Sequence, residues 1–191
     1  QNYLTGMLLV AGITMFYTFF GGFMGASYTD MVQGLLMLAA LVAVPIVAIT
    51  NMGGLDHVTD AVANVRPDAL GLFAGTTFIG IASALAWGLG YFGQPHIIVR
   101  FMALRTPEDA KAGRRIGMSW MLLTVVGSIS TAFVGVAYFA THPDISLTDK
   151  ESAETVFLDL AQILFHPFIA GMILAAVLAA IMSTLSSQLV V

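Results

Sequence analysis

The chain has 191 residues, of which 58% are hydrophobic and 9% charged, with a formal net charge of −4. A soluble domain carries about 25% charged residues, so this composition is that of a membrane protein, and the lack of a basic face argues against nucleic-acid binding. Cysteine is absent, which excludes disulfides and thiolate metal sites within these residues, and four scattered histidines offer no ligand cluster.

Five long uncharged runs predict five membrane-spanning helices, at roughly 4–26, 31–50, 72–99, 116–140 and 163–190. Each is long enough to cross a hydrocarbon core, which takes about 20 residues of helix. The expectation is an all-α membrane protein. No cleavable signal peptide is visible. The chain opens on Gln1-Asn2 without an initiator Met and closes on an apolar stretch, so it reads as a piece of a longer polytopic protein, with 1–191 one fragment of a transmembrane domain.

The first run ends in Gly21-Gly22-Phe23-Met24-Gly25. Gly21 and Gly25 form a small-xxx-small pair, suited either to close helix approach or to a flexible helix end. Ser27-Tyr28-Thr29-Asp30 follows as a short turn, so the first and second spans should be antiparallel neighbours. Asp30 has two compatible readings. It can cap the second span together with Thr29, with Gln33 at capping-box spacing. As a juxtamembrane acid it can also be a waypoint for a cation. Pro45 should kink the second span.

The linker 51–69 carries Asp56, Asp60 and Asp68 against Arg66 and should hold a short surface helix around 56–64. The third span contains the most unusual stretch, Trp87-Gly88-Leu89-Gly90-Tyr91-Phe92-Gly93-Gln94-Pro95. Glycine and proline weaken the helical hydrogen-bond ladder, so free backbone groups are expected near membrane depth. Lipid cannot satisfy such groups, and secondary transporters use broken helices of this kind to build solute sites. The other reading is a proline kink in a packed helix. Trp87, Tyr91 and Pro95 recur every four residues and lead along one side to the break. Aromatic rings there can close over an apolar solute or simply pack.

Five of the seven basic residues fall in 100–115: Arg100, Arg105, Lys111, Arg114 and Arg115. The linker 141–159 is acidic, with Asp144, Asp149, Glu151, Glu154 and Asp159 against Lys150. The positive-inside rule then places 100–115 in the cytoplasm and both acidic linkers outside. His96 and Arg100 read as cytoplasmic-end residues rather than ligands.

The last span ends in Ala179-Ala180-Ile181-Met182-Ser183-Thr184-Leu185-Ser186-Ser187-Gln188. Ala180, Ser183 and Thr184 share one helix face at i, i+3 and i+4. That face offers one carbonyl and two hydroxyl oxygens, a partial ligand set for a hard monovalent cation. The alternative is that the hydroxyls bond back to the preceding turn or join helices. No nucleophile elbow, zinc-protease motif or phosphate loop is present, so an enzyme is not expected.

The sequence at 87–103, together with Ser27-Tyr28-Thr29-Asp30 plus Gln33 and with 179–188, resembles the sodium:solute symporter family, and 87–103 resembles its proline branch. The resemblance covers essentially the whole chain. It implies part of an inverted-repeat (LeuT-type) transporter bundle, with this chain as about the fourth to eighth core helices. It implies sodium-coupled symport of L-proline across the bacterial cytoplasmic membrane. Sodium would be co-transported rather than a cofactor, and the partners would be proline, the bilayer and the remaining helices of the transporter. By the resemblance, Ala180, Ser183 and Thr184 would hold sodium and Asp30 would lie on its path. Trp87, Gly90, Tyr91 and Pro95 would border the solute. A similar membrane domain serves some sensor histidine kinases as a solute detector, which is the competing reading; a structural membrane scaffold is a third.

Overall fold

The computed structural model describes residues 2–71, 74–91, 93–142 and 153–190, and of Asn2 and Trp87 the backbone only. The described residues are helical, with no strand among them. In chain order the helices are α1 (Asn2–Asn51), α2 (Leu55–Val65), a 3-10 turn (Pro67–Leu70), α3 (Phe78–Tyr91), α4 (Pro95–Met102), α5 (Pro107–Thr141), α6 (Val156–Leu164) and α7 (Pro167–Leu189).

Local chemistry sets several of these boundaries. Thr106 caps α5, its hydroxyl accepting from the Asp109 amide at 3.2 Å, with Pro107 in the first turn beside Glu108 and Asp109. Proline loses nothing at that position, and the two acids complement the positive end of the helix. His166 caps α7 in the same way, Nδ1 accepting from the Phe168 amide, and Pro167 again opens the helix.

α1 runs through 50 residues. A straight helix of that length would span about 75 Å, more than twice a hydrocarbon core of about 30 Å. It is not straight. Gly22 has φ 54° and ψ −154°, a conformation open to glycine and costly for other residues. Tyr17 reaches Met182, and Phe23 lies with Ser187 and Val190, so the first half of α1 runs alongside α7 in the same direction. Ala26 and Ser27 meet that same end of α7, while Ala40, Val44 and Ala48 join the core with Ile173 and Ala176. The second half therefore runs back against α7. The chain reverses at Gly22, and the two halves are antiparallel.

This corrects the expected turn at 27–30. Those residues are helical, because their side chains bond back to the preceding turn: Ser27 to the Phe23 carbonyl at 2.8 Å, and Thr29 to the carbonyls of Gly25 and Ala26 at 3.1 and 2.9 Å. Back-bonding satisfies the polar groups without ending the helix. Thr29 and Asp30 are consequently not caps. Nor do Gly21 and Gly25 mark a close approach, since a Cβ on either would meet nothing within 4 Å. Pro45 lies inside helical backbone, and Gly22 is the non-helical residue of α1.

The close approaches lie elsewhere. A Cβ on Gly127 would sit 2.9 Å from Leu41 Cγ and 3.1 Å from the Leu41 carbonyl oxygen, and one on Gly34 3.2 Å from the Trp120 ring. These two contacts run α5 parallel to the second half of α1. The core gathers Val44, Ala48, Val58, Val62, Val134, Ala137 and Leu160 around this pair, with α2 and α6 closing one end. The surface helix expected around 56–64 is α2. The last span begins later than expected: 163 and 164 belong to α6, and α7 starts at Pro167. The basic segment 100–115 is largely helix, split between α4 and the first turns of α5. Asp144, Asp149, Lys150 and Glu151 lie outside the described residues.

Apolar side chains also cover much of the exterior. Phe19 and Phe78 are each 84% exposed, and Leu89 81%. Such a surface suits lipid or neighbouring helices rather than water. α5 and α7 are each long and apolar enough to cross a bilayer, and α1 is long enough for two crossings.

Candidate cation and solute sites

The third run is interrupted where the sequence suggests. α3 ends at Tyr91 and α4 begins at Pro95, with Gln94 extended (φ −73°, ψ 130°) between them. The amide of Gly93 bonds the Gly90 carbonyl at 3.2 Å, and that of Gln94 the Tyr91 carbonyl at 3.4 Å. These short-range bonds replace the helical ladder that Pro95 cannot continue. Gly90 therefore belongs to the last turn before the break, and Pro95 to the first turn after it. Tyr91 is 39% exposed, one turn beyond Trp87. α3 packs extensively against no other described element, so the solute candidates stand on an open helix.

The cation candidates lie on α7. Thr184 Oγ1 donates to the Ala180 carbonyl at 3.0 Å. Ser186 Oγ donates to the Ser183 carbonyl at 3.0 Å, and Ser187 Oγ to the Thr184 carbonyl at 2.8 Å. This is the back-bonded arrangement that sequence reasoning held open as the alternative. It does not remove the ligand capacity. A donating hydroxyl keeps its lone pairs, and a carbonyl has two. The bond instead holds the Thr184 hydroxyl and the Ala180 carbonyl close enough for one small cation to touch both. Ala180 and Ser183 are half-buried and Thr184 is exposed. The buried stripe of α7 is made by Ala170, Ile173, Ala176, Ala179 and Ser186, so the ligand face remains open to further oxygens.

Asp30 is the second candidate, and its partner was not foreseen. Arg100 Nη2 donates to Asp30 Oδ2 at 2.5 Å, joining α4 to the second half of α1. The Asp30 side chain is 10% exposed and that of Arg100 50%. Asp30 Oδ1 and Gln33 Oε1 are both buried without a hydrogen-bond partner, one helical turn apart. Arg100, His96 and Val99 then line a narrow cleft with Ser27, Ser187 and Val190, of about 10 Å³. The ion pair of Asp30 and the last turn of α7 thus share one end of the molecule. The sequence offered one weak signal for Arg100: a cation at the end of an apolar run, six residues beyond Gln94.

One further polar contact, between the first half of α1 and α7, was also missed. Tyr17 donates to the Met182 carbonyl at 3.3 Å, and Thr14 and Thr18 are buried nearby. Small residues at Ala176, Ala179 and Ser186 allow that approach, a signal the sequence did contain. A larger cavity, about 500 Å³, lies at the other end, lined by Asn51, His57, Tyr138, Thr141 and His142 among others. It includes none of the candidate residues. The described residues hold no group of three or more His, Cys, Asp or Glu side chains suited to a metal ion.

Helices throughout the described residues, an apolar exterior and a run broken between Tyr91 and Pro95 are the features of a polytopic membrane protein. The chain belongs to the sodium:solute symporter family, whose model matches residues 1–191. It is 50% identical over 191 residues to a high-affinity proline transporter, PutP, of Bacillus subtilis, covering all of this chain and 40% of that protein. It is 51% identical to the osmoregulated proline transporter OpuE of the same organism, covering 38% of it, and 50% identical to sodium/proline symporter 2 of Staphylococcus saprophyticus, covering 36%. The chain thus spans about two-fifths of the length of these relatives. No solved structure matches it.

Proposed function

We propose that this chain is part of a transporter that couples sodium entry to the uptake of L-proline across a cytoplasmic membrane. Its helices would form one stretch of an inverted-repeat bundle. The observation that carries the reading is the meeting, at one end of the molecule, of the Asp30–Arg100 pair and the α7 turn that follows Ser183 and Thr184. Two oxygen-rich positions then lie in series along one line of descent for a cation. Sodium would sit on the Ala180 carbonyl and the hydroxyls of Ser183 and Thr184, with its other oxygens supplied from outside these residues. Asp30 would attract the ion as it leaves.

The solute would lie at the break between α3 and α4. Backbone groups of such a break would suit the carboxylate and ammonium of an amino acid, and aromatic residues at 87 and 91 would suit an apolar pyrrolidine. The similarity to named proline transporters supports proline as that solute, and no observation favours the sensor reading. The test is equilibrium binding of radiolabelled L-proline to the purified full-length parent. Affinity should rise with sodium and not with potassium. Binding that ignores sodium would refute coupling.

Two further results are expected. Trp87→Ala should weaken apparent proline affinity about 2- to 12-fold, the equivalent of one aromatic contact of roughly 0.5–1.5 kcal/mol, with much less effect on sodium. Unchanged proline dependence would return the residue to packing. The orientation follows from the basic cluster at 100–115. A cysteine at Ala112 of the parent should resist an impermeant thiol reagent added outside, and one at the exposed Asn64 of α2 should react. The reverse pattern would invert the sidedness proposed for every site.

A further inference from the structure

We propose that Arg100 is a sodium-released latch: its guanidinium occupies Asp30 and so clamps α4 over the cleft at the end of α7 until a sodium ion takes its place. The proposal rests on the reading that sodium passes Asp30. It goes beyond that reading in giving the arginine a role and linking the ion path to the broken helix.

Three observations carry it. First, the pair is asymmetric. Asp30 is nine-tenths buried, whereas Arg100 is half exposed. A buried carboxylate needs a cation, but an arginine at the surface can leave for water at little cost. The carboxylate is therefore the fixed member and Arg100 the exchangeable one. Second, α4 has little else to hold it. It contributes no fully buried residue, and no described element packs extensively against it. The bond from Arg100 to Asp30 pins it to the second half of α1. Third, the cleft under α4 is narrow. Its volume of about 10 Å³ holds no more than one water-sized sphere. A hydrated ion coming from Ser183 and Thr184 has no room to pass beside Ser187 while α4 stays down.

The exchange is one of charge. With Arg100 on Oδ2, the carboxylate is neutralised, yet Oδ1 and the neighbouring Gln33 Oε1 remain buried without partners. A compact cation can use those oxygens as well, which a guanidinium anchored on Oδ2 does not. Sodium arriving there makes Arg100 redundant, and α4 is released. Because α4 begins at Pro95, directly after Gln94, its release also loosens the break where the solute would sit. Ion departure and solute departure are then coupled through one side chain.

The experiment places a single cysteine at Val99, which lines the cleft, in the full-length parent with any other cysteines replaced. The rate of its reaction with a small maleimide is measured in potassium and in sodium. With Arg100 present, labelling should be slow in potassium and about tenfold faster in sodium, the shift expected from losing one charge-assisted hydrogen bond. Arg100→Gln should label fast in both salts. Arg100→Lys, which keeps the charge and loses the planar fork, should stay slow in potassium and open at a lower sodium concentration. Slow, sodium-responsive labelling in Arg100→Gln would overturn the latch, as would an unchanged sodium midpoint in Arg100→Lys. Proline uptake in the same proteoliposomes separates the two ideas. Sodium-dependent uptake with flat labelling in the parent would defeat the latch alone. Sodium-responsive labelling without sodium-dependent uptake would uphold the latch and defeat the transport reading.

Discussion

Thr184→Ala should raise the sodium concentration needed for half-maximal proline uptake by the full-length parent by about 10- to 150-fold. That range corresponds to roughly 1.5–3 kcal/mol for losing an interaction with a charged group. Thr184→Ser keeps the oxygen, loses one methyl, and should stay close to the parent. The structure makes the comparison clean. Thr184 is exposed, and its hydroxyl makes a local bond to the Ala180 carbonyl at 3.0 Å. Alanine therefore opens no cavity, and it is a better helix former than threonine. A large shift in sodium dependence could not be traced to misfolding. Binding coupling is reciprocal, so weaker sodium binding should also lower apparent proline affinity at fixed sodium. Equal sodium curves for Thr184→Ala and the parent would remove the residue from the site and leave its back-bond as its whole role.

The second large effect is structural. Gly22→Val should destabilise the full-length parent by about 1–3 kcal/mol or more, because valine is forced into a backbone conformation nearly reserved for glycine. Gly21→Val is the control. Gly21 lies within helical backbone, and a side chain there meets nothing within 4 Å. Thermal unfolding in detergent should therefore separate two adjacent, chemically identical substitutions. If they melt alike, the reversal does not depend on the conformation of Gly22.

The reversal also shows where sequence reasoning stopped. Polarity drew the turn to Ser27-Tyr28-Thr29-Asp30, since those side chains commonly leave helices. In the structure three of them bond to their own helix or to Arg100, so nothing obliges the chain to turn there. The reversal falls on Gly22 instead, the glycine between the two of the small-xxx-small pair. Sequence does not say which of Gly21, Gly22 and Gly25 takes the unusual dihedral, because all three permit it. Composition alone made the chain a helical membrane protein, and proline chemistry located the break after Tyr91. Helical spacing put Ala180, Ser183 and Thr184 on one face of α7 as a candidate ligand set, and the structure adds that the Thr184 hydroxyl bonds back to the Ala180 carbonyl. Long-range pairing was out of reach. Arg100 and Asp30 are 70 residues apart, and each had a sufficient local explanation as a terminal residue. Gly127 and Gly34 are further cases. Their role in bringing α5 onto α1 depends on Leu41 and Trp120, which no periodicity links to them.

The most direct measurement is proline uptake by the full-length parent reconstituted into proteoliposomes, with an inward sodium gradient imposed and then collapsed by an ionophore. The account predicts concentrative uptake that requires sodium, is not supported by potassium, and falls to equilibration when the gradient is dissipated. Concentrative uptake that persists without a sodium gradient, or proline entry that is the same in sodium and potassium, would contradict it.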